Sequence, residues 1–284
     1  MAKFQLYVHD VVRVSGEDAR KLLHDTLTCR FDEGMRGVGR WFALLSPQGK
    51  VQVEGLVTEA DGAYWFDIEA RLVADFVKRM KLYRLRAKVE IEHLPSLAVM
   101  WSPDGDAPWG EDVIVYTDGR SPGLGTRYLV ASDEALAAPE PTVEALDAYN
   151  VARITAGIAE FGSDFGVNEV FPHDIGMDLL NGVDFKKGCY VGQEVVSRMQ
   201  HRGTARRRPV IVSGIPDGAA AGAPVLVGER EAGTIGTPVG GKAIGLLRLD
   251  RIDAIGISTV GGLPVTLELP HWATYRFGEV APAD

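Results

Sequence analysis

Apolar residues along the first 160 positions follow both the two-residue period of strands and the wider period of helices. Short β-branched, aliphatic and aromatic runs predict strands at 11–14, 41–45, 51–57, 64–68, 87–91, 97–100, 113–116 and 128–130. Leu72, Phe76 and Met80 predict a helix over 72–82, and a second helix is predicted over 143–158. Ser15 is predicted to cap a further helix that carries Leu22 and Leu23.

The pattern changes twice in the second half of the chain. Residues 159–186 are irregular and rich in glycine, and a segment of this length without regular structure is usually functional. Short strands separated by Gly and Pro turns are then predicted at 210–212, 224–227, 233–235, 243–249 and 265–269. Residues 131–144, rich in Ala, Pro and acids, read as a connection. We expect an α+β fold with antiparallel sheets and a small C-terminal barrel or sandwich.

Composition restricts the possible functions. The chain has 284 residues, a net charge of -9 and a pI near 5.2, which disfavours nonspecific binding to nucleic acid. The two cysteines, Cys29 and Cys189, lack metal-ligand or redox-motif spacing and suit a reducing compartment. No leader segment or membrane-spanning run is evident, so we expect a cytoplasmic protein without a membrane partner and without a bound metal.

The segment 181–208 concentrates the candidate chemistry. It contains the stretch 187–194, Lys-Gly-Cys-Tyr-Val-Gly-Gln-Glu, which includes Cys189 and precedes a helix predicted from Gly192 to Gln200. A helix N-terminus and the neighbouring Lys186 and Lys187 both favour a thiolate. Seven Lys or Arg and two acids fall between 184 and 208, so this basic strip predicts an anionic ligand.

Structural interpretations compete with these functional ones. A lone cysteine is more often a small buried hydrophobe than a nucleophile, and Cys29 in an apolar context is predicted to be structural. The run Arg206-Arg207-Arg208 is more often a solvated surface than a binding site. His201 lies at the far end of the predicted helix and makes a weak candidate for a base.

The stretch 187–194, with Arg198 four residues beyond it, resembles the signature of the YgfZ family, which includes the mitochondrial iron–sulfur assembly factor of the same type. Residues 14–19 with 27–29, residues 45–51, and residues 233–236 with 243–248 also resemble segments of that family. The resemblance therefore covers nearly the whole chain.

This resemblance implies a fold shared with the T-protein of the glycine cleavage system, an aminomethyltransferase that uses tetrahydrofolate. Three domains would form a ring around a channel that binds folate, with an antiparallel β-barrel at the C-terminus. On this basis we predict a discontinuous folate-binding domain of 1–47 and 142–205, an inserted domain of 48–141, and the barrel at 206–284.

The same resemblance implies the candidate site residues. Cys189, Lys187 and Glu54 are the candidate catalytic groups; Glu54 stands on the strand that carries the T-protein's catalytic aspartate. Thr155 replaces the glutamate with which the T-protein holds folate, and Asp174 is predicted to hold the pterin instead. The folate contacts that we predict are Asp174, Arg153, Trp41, Tyr190, Gln193, Glu194, Arg198 and Arg206.

Three functions follow as hypotheses. The first is a factor that binds tetrahydrofolate, or a one-carbon derivative of it, and assembles or repairs 4Fe–4S clusters in client enzymes, including radical enzymes that thiolate tRNA. Its partners would be folate and iron–sulfur client or assembly proteins, and it would act as a monomer. The second is an aminomethyl or methyl transferase that uses Glu54. The third is an RNA-binding module that uses the basic strip, which the acidic pI disfavours.

Overall fold

The computed structural model describes residues 4–5, 8–105, 113–133, 143–203, 205–252 and 256–279. The helices within these ranges are α1 (Ala19–Thr26), α2 (Ala70–Arg84), α3 (Val143–Ala156) and α4 (Gln193–Arg202). Short 3-10 helices lie at Glu33–Met35, Pro122–Leu124, Pro172–Ile175 and Leu249–Arg251. Most of the connection predicted at 131–144 falls outside the described residues.

A nine-stranded sheet forms the first half of the molecule. Its strands are β1 (Phe4–Gln5), β2 (His9–Ser15), β3 (Val38–Leu45), β4 (Val51–Ala60), β5 (Ala63–Glu69), β6 (Glu90–His93), β7 (Leu97–Ser102), β8 (Ile114–Asp118) and β9 (Thr126–Ala131). They lie in the order β1-β7-β9-β8-β3-β4-β5-β2-β6. The β3–β8 pairing is parallel, whereas β3–β4, β4–β5 and β2–β5 are antiparallel, as expected for an α+β fold.

A second, seven-stranded antiparallel sheet forms the C-terminal part. Its strands are β10 (Arg207–Ser213), β11 (Pro224–Val227), β12 (Arg230–Ile235), β13 (Lys242–Arg248), β14 (Ser258–Val260), β15 (Leu263–Pro264) and β16 (Thr266–Glu268). The order is β15-β14-β11-β12-β13-β10-β16. The two outermost strands, β15 and β16, are nearly consecutive in the chain, so the sheet is a nearly closed barrel. The prediction of a C-terminal antiparallel barrel is confirmed.

Alternating residues of β3 divide the core between the two faces of the large sheet. Trp41 and Leu45 belong to one buried cluster, whereas Phe42 and Leu44 belong to the other. This division follows from the two-residue period of a strand, whose successive side chains point to opposite faces. Helix α2 covers the second face with Phe76 and neighbouring apolar residues. Both faces of β3 are therefore covered, and this fixes the strand that carries Trp41.

One local prediction was wrong. Ser15 ends β2 instead of capping a helix, and Asp18 occupies the cap position of α1 without a side-chain hydrogen bond. The sequence also predicts a strand or an extended piece at 183–185. These residues belong to no ladder, because Val183 N–H donates to the Met177 carbonyl and Asp184 N–H to the Thr28 carbonyl. The division into domains stays a prediction, and its boundary at 141/142 lies outside the described residues.

Candidate functional site

Cys189 is an exposed, free thiol on the loop that leads into α4, which begins at Gln193. The other cysteine, Cys29, is buried, and burial raises the pKa of its thiol to about 12. A thiol so held stays protonated and out of solvent, so the two cysteines differ in access to a partner or a reagent.

Lys187 anchors the loop from inside the protein. Its ammonium donates hydrogen bonds to the carbonyls of Leu27 and Cys29 (2.8 Å for the latter) and lies 5.2 Å from the ring centroid of Tyr190. Burial lowers the pKa of Lys187 to about 8. From the sequence we expect this cation to favour a thiolate at Cys189. In the structure its ammonium is instead bound to two backbone carbonyls.

The glycine at the start of α4 brings the helix against the turn between β3 and β4. Gly192 has a φ of 79°, and a Cβ there would lie 2.6 Å from the Ser46 carbonyl oxygen. Gly49 of the same turn also has a positive φ and packs against Val195. Only glycine fits both the backbone angle and the space, so this contact fixes the direction in which the Cys189 loop enters the helix.

The other predicted contacts around α4 divide between interior and surface. Tyr190 is buried, burial raises the pKa of its phenol, and its hydroxyl has no hydrogen-bond partner among the described residues. Glu194 and Arg198 form an exposed ion pair of 2.6 Å along the helix, and Gln193 is partly buried at its first position. Arg206 is exposed.

Glu54 is enclosed rather than open to a substrate. Trp41 Nε1–H donates to one carboxylate oxygen at 2.7 Å, and Phe161 N–H donates to the other at 3.0 Å. Burial raises the pKa of the Glu54 carboxyl, while the nearby Arg120 guanidinium opposes the shift. Both oxygens are therefore engaged, and Glu54 holds the indole of Trp41 in place.

Two further predicted folate contacts are engaged in internal interactions. Arg153 is fully buried and pairs with Asp164 at 2.5 Å. The Asp174 carboxylate accepts hydrogen bonds from Phe171 N–H at 2.9 Å and from Arg207 Nη2 at 2.8 Å. Asp174 therefore caps the 3-10 helix at Pro172–Ile175 and links it to the barrel.

A cleft of about 540 Å³ lies beside the Cys189 loop. It is lined by aromatic and apolar residues, by acids and by cations, which include Trp41, Phe185, Asp178, Asp184, Arg40 and Lys186. Asp184 Oδ2 is buried, has no hydrogen-bond partner among the described residues, and lies 3.4 Å from Arg30 Nε in an ion pair. The Asp178 carboxylate is paired with Arg208 through both oxygens.

Of the predicted folate contacts, Trp41 lines this cleft. Sequence reasoning missed Asp184, Asp178, Arg30 and Arg40. The first of these lies in the basic strip, three residues before Lys187, where it was counted only as a charge. Its importance arises from the tertiary structure, which buries one of its oxygens at the wall of the cleft.

Residues 206–275 match the family model described as CAF17, C-terminal beta-barrel domain. The "Iron-sulfur cluster assembly factor IBA57 homolog, mitochondrial" of Chaetomium globosum is 31% identical over 262 residues, which are 81% of this chain and 60% of that protein. The chain is related to the CAF17/IBA57 proteins. The IBA57 homologue of Mycosarcoma maydis is 32% identical over 72% of this chain and 55% of its own length. This chain thus spans less than two thirds of these relatives.

The fold is that of a glycine cleavage T-protein. The structure of aminomethyltransferase T from Bartonella henselae superimposes with a TM-score of 0.75 at 15% identity, covering 97% of this chain and 87% of that one. The predicted α+β, T-protein-like fold is confirmed. The narrower YgfZ assignment stays a prediction.

The expectation of a cytoplasmic location was wrong. The relatives from Chaetomium globosum, Mycosarcoma maydis and Pyricularia oryzae are all named as mitochondrial, which points to the mitochondrion instead. Within the described part of the chain, no helix is long and apolar enough to cross a membrane. The same residues contain no group of three or more His, Cys, Asp or Glu placed to hold a metal ion.

Proposed function

We propose that this protein binds tetrahydrofolate and assists the assembly or repair of 4Fe–4S clusters in client enzymes, with Cys189 as its working thiol. The observation that carries the proposal is the free thiol of Cys189, exposed on a loop that the buried Lys187 anchors. The names of the IBA57 relatives support the iron–sulfur part of the proposal.

Cys189 acts through its sulfur in transient persulfide, cluster or disulfide chemistry. Each of these needs sulfur that a partner can reach, and the exposed Cys189 meets this requirement whereas the buried Cys29 does not. The partners are client enzymes or assembly proteins that carry iron and sulfur, including radical enzymes that thiolate tRNA.

The cleft beside the loop suits a folate. Its volume of about 540 Å³ falls in the usual range of ligand pockets, and Trp41 and Phe185 offer apolar surface to a flat ring system. Asp184 Oδ2 accepts no hydrogen bond from the described residues and lies 3.4 Å from Arg30 Nε, so it is an acceptor for the amide and amino edge of a pterin. Bound there, tetrahydrofolate supplies a reduced one-carbon carrier next to the thiol loop.

The charged end of the cofactor meets the cations of the cleft. Arg40, which also pairs with Asp32 at 2.7 Å, and the exposed Lys186 line the same cleft as Asp184. Side chains of both types form charge-assisted hydrogen bonds with carboxylates such as those of a folate. The earlier assignment of Asp174, Arg198 and Arg206 remains a prediction, although the first two of these side chains already have ionic partners in the protein.

We place the transferase second, because Glu54 lacks a free oxygen. A general base must reach the proton that it removes, and both oxygens of this carboxylate accept hydrogen bonds from the protein. Its role in the first hypothesis is to orient Trp41 at the wall of the cleft.

Calorimetry with tetrahydrofolate tests the cofactor. We expect micromolar binding to the wild type and a loss of roughly 10-fold or more in Asp184→Asn, because an unpaired polar edge of the ligand costs about 1–3 kcal/mol. Asp174→Ala serves as the comparison: if it abolishes binding and Asp184→Asn does not, the pterin lies at Asp174. Absence of binding to the wild type would disprove the folate proposal.

The activity of a 4Fe–4S client enzyme, in cells that depend on this protein, tests the thiol. We expect Cys189→Ser to reduce that activity to the level of an empty vector while the protein remains folded. Cys29→Ala is the matched control and should retain activity, since its thiol is buried. Full activity of Cys189→Ser would show that the thiol is dispensable.

A further inference from the structure

The end of α2 and the loop that follows it form an unusually basic surface, which we call the basic tip (residues 78–88). No acid occurs from position 76 to position 89, in a chain whose net charge is -9. The cations of the tip are Lys78, Arg79, Lys81, Arg84, Arg86 and Lys88. A local reversal of charge of this kind raises the local concentration of an acidic partner.

The basic tip also exposes two leucines. Leu82 is 70% exposed and Leu85 is 83% exposed, the highest values among the large hydrophobic side chains of the described residues. Neither belongs to the buried face of α2, which Leu72, Phe76 and Met80 provide. Exposed apolar side chains of this size, with cations as their neighbours in the sequence, are typical of contact surfaces for other molecules.

The backbone at Leu85 is strained. The turn after α2 is closed by a 2.8 Å hydrogen bond from Ala87 N–H to the Arg84 carbonyl, and Leu85 occupies its first central position with φ 48° and ψ -107°. This geometry is close to a type II′ turn, in which glycine is the preferred residue at that position. A leucine held there without burying its side chain gains nothing inside the molecule, and such strain is concentrated at functional sites.

The charges of the tip are partly unpaired. Arg79 pairs with Asp75, and Lys88 pairs with Glu17, each at 2.7 Å. Within the described part of the chain, Lys81 and Arg86 form no ion pair, although both flank the exposed leucines. They are therefore available to an acidic partner.

A short series of contacts connects the tip to the thiol loop. Met80 Sδ lies 3.9 Å from Thr26 Oγ1 at the end of α1, and the carbonyl of the next residue, Leu27, accepts a hydrogen bond from Lys187. Lys187 is two residues from Cys189, at most about 7 Å along the chain. The connection runs through the interior, because Met80, Thr26 and Leu27 are buried, and it packs the elements that carry the tip and the thiol loop against each other. An interface of ordinary size, about 800 Å² and 20–30 residues on each partner, extends over more than one element.

We propose that the basic tip is the docking surface for an acidic protein that offers an apolar socket to Leu82 and Leu85. The proposal rests on the proposed function: the docked protein is the one that exchanges sulfur or cluster at Cys189. Asp75 and Glu17, at the edge of the tip, already pair with two of its cations, and this weakens the attraction to an anionic lipid surface, which grows with the number of free Lys and Arg side chains. Phosphate contacts of a nucleic acid would leave both leucines without a role.

The activity of a 4Fe–4S client enzyme in dependent cells tests this surface. We expect the double variant Lys81→Glu/Arg86→Glu to lose roughly 10-fold or more of the activity, as hot-spot changes do. The matched control Arg230→Glu/Lys242→Glu makes the same charge change on exposed positions of the barrel and should remain fully active. Leu85→Gly should lose activity while its thermal stability is unchanged or higher, because glycine removes the strain.

Four measurements identify the class of partner, the first in cells and the other three on the purified protein. A photocrosslinking residue in place of Leu82 should yield, in cells, one discrete adduct with an acidic protein, and the adduct should disappear in Lys81→Glu/Arg86→Glu. Three results would overturn the proposal if each were lost in the same double variant. Flotation with phosphatidylserine vesicles would indicate a lipid partner, binding to polyuridylate would indicate a nucleic acid, and a dimer in light scattering would indicate a second copy of this chain.

The failure of this proposal is distinguishable from that of the proposed function. Full activity of the double variant beside an inactive Cys189→Ser would overturn the docking surface and leave the thiol proposal standing. Full activity of both would overturn both. Loss of tetrahydrofolate binding in the double variant would show that its fold is disturbed. Leu85→Gly then decides: loss of client-enzyme activity with tetrahydrofolate binding retained would support the docking surface, and any other result would overturn it.

Discussion

At the scale of single residues, Lys187 is the least expected feature of the site. It is 7% exposed, and its ammonium is bound to two carbonyls instead of a carboxylate. A buried ammonium without a counter-ion is disfavoured by desolvation, which is why the pKa of Lys187 falls from 10.5 to about 8. The lysine of the motif thus holds the loop of Cys189, and its charge state depends on pH near the physiological range.

This shift predicts a pH dependence of stability. Between pH 8 and 10.5 the unfolded chain holds more protons at Lys187 than the folded protein, so the free energy of unfolding rises with pH, by up to about 3 kcal/mol. Urea unfolding of wild type and Lys187→Met across this range should show the rise only in the wild type. Lys186→Met, at the exposed neighbour, should retain it; equal slopes in all three proteins would refute the assignment.

At the scale of elements, the two glycines of the motif have different roles. Gly192 must be glycine because of its positive φ and its contact with the Ser46 carbonyl, as described above. Gly188 has no atom within 4 Å of the position of a Cβ, and its φ is not in the left-handed region. A close approach of other backbone therefore requires glycine at Gly192 and not at Gly188.

A substitution at Gly188 serves as the control for the same substitution at Gly192. We expect Gly192→Ala to reduce the free energy of unfolding by about 1–3 kcal/mol, because the Cβ meets backbone and a positive φ is costly. Gly188→Ala should change it by less than about 0.5 kcal/mol. Thermal unfolding followed by circular dichroism measures both, and equal effects would mean that α4 does not depend on this contact.

At the scale of the whole molecule, buried charges join the sheet to the segments packed against it. Arg127 of β9 is 1% exposed; it donates to the carboxylates of Asp67 on β5 and Asp118 at the end of β8, and to the hydroxyl of Tyr149 on α3. Ion pairing and hydrogen bonds from Arg127 and His9 hold the pKa of Asp67 far below its usual range, although burial opposes this. These bonds hold strands β5, β8 and β9 and helix α3 in one arrangement.

Removal of Arg127 from this buried network should destabilise the protein strongly. Arg127→Met leaves two buried carboxylates short of a partner, and we expect a loss of about 3–5 kcal/mol in the free energy of unfolding. Arg13→Met removes an exposed pair with Glu92 and should cost less than about 1 kcal/mol. Denaturant titration compares the two; a small loss for Arg127→Met would mean that the protein relaxes around the missing guanidinium.

The local prediction of elements was largely correct where the apolar period was clear. Strand β3 and helix α2 follow directly from the alternation of Trp41 to Leu45 and from the spacing of Leu72, Phe76 and Met80. The site residues stay predictions: of the predicted folate contacts, Trp41 lines the cleft beside the Cys189 loop. Asp184 was not among the predicted residues, because no local signal says which carboxylate oxygen will be buried without a hydrogen-bond partner.

The sequence alone specified the elements, the β-rich C-terminal part and the motif that contains Cys189, whereas the exposure of that cysteine is a property of the folded protein. Those features depend on period, turn chemistry and a contiguous string of residues, all of which are local. Only the tertiary structure decided the rest: that Lys187 binds carbonyls 160 residues away, that Glu54 is enclosed by Trp41 and Phe161, and that two leucines remain exposed at the end of α2. The physical reason is that burial and hydrogen-bond partners are set by segments distant in the chain.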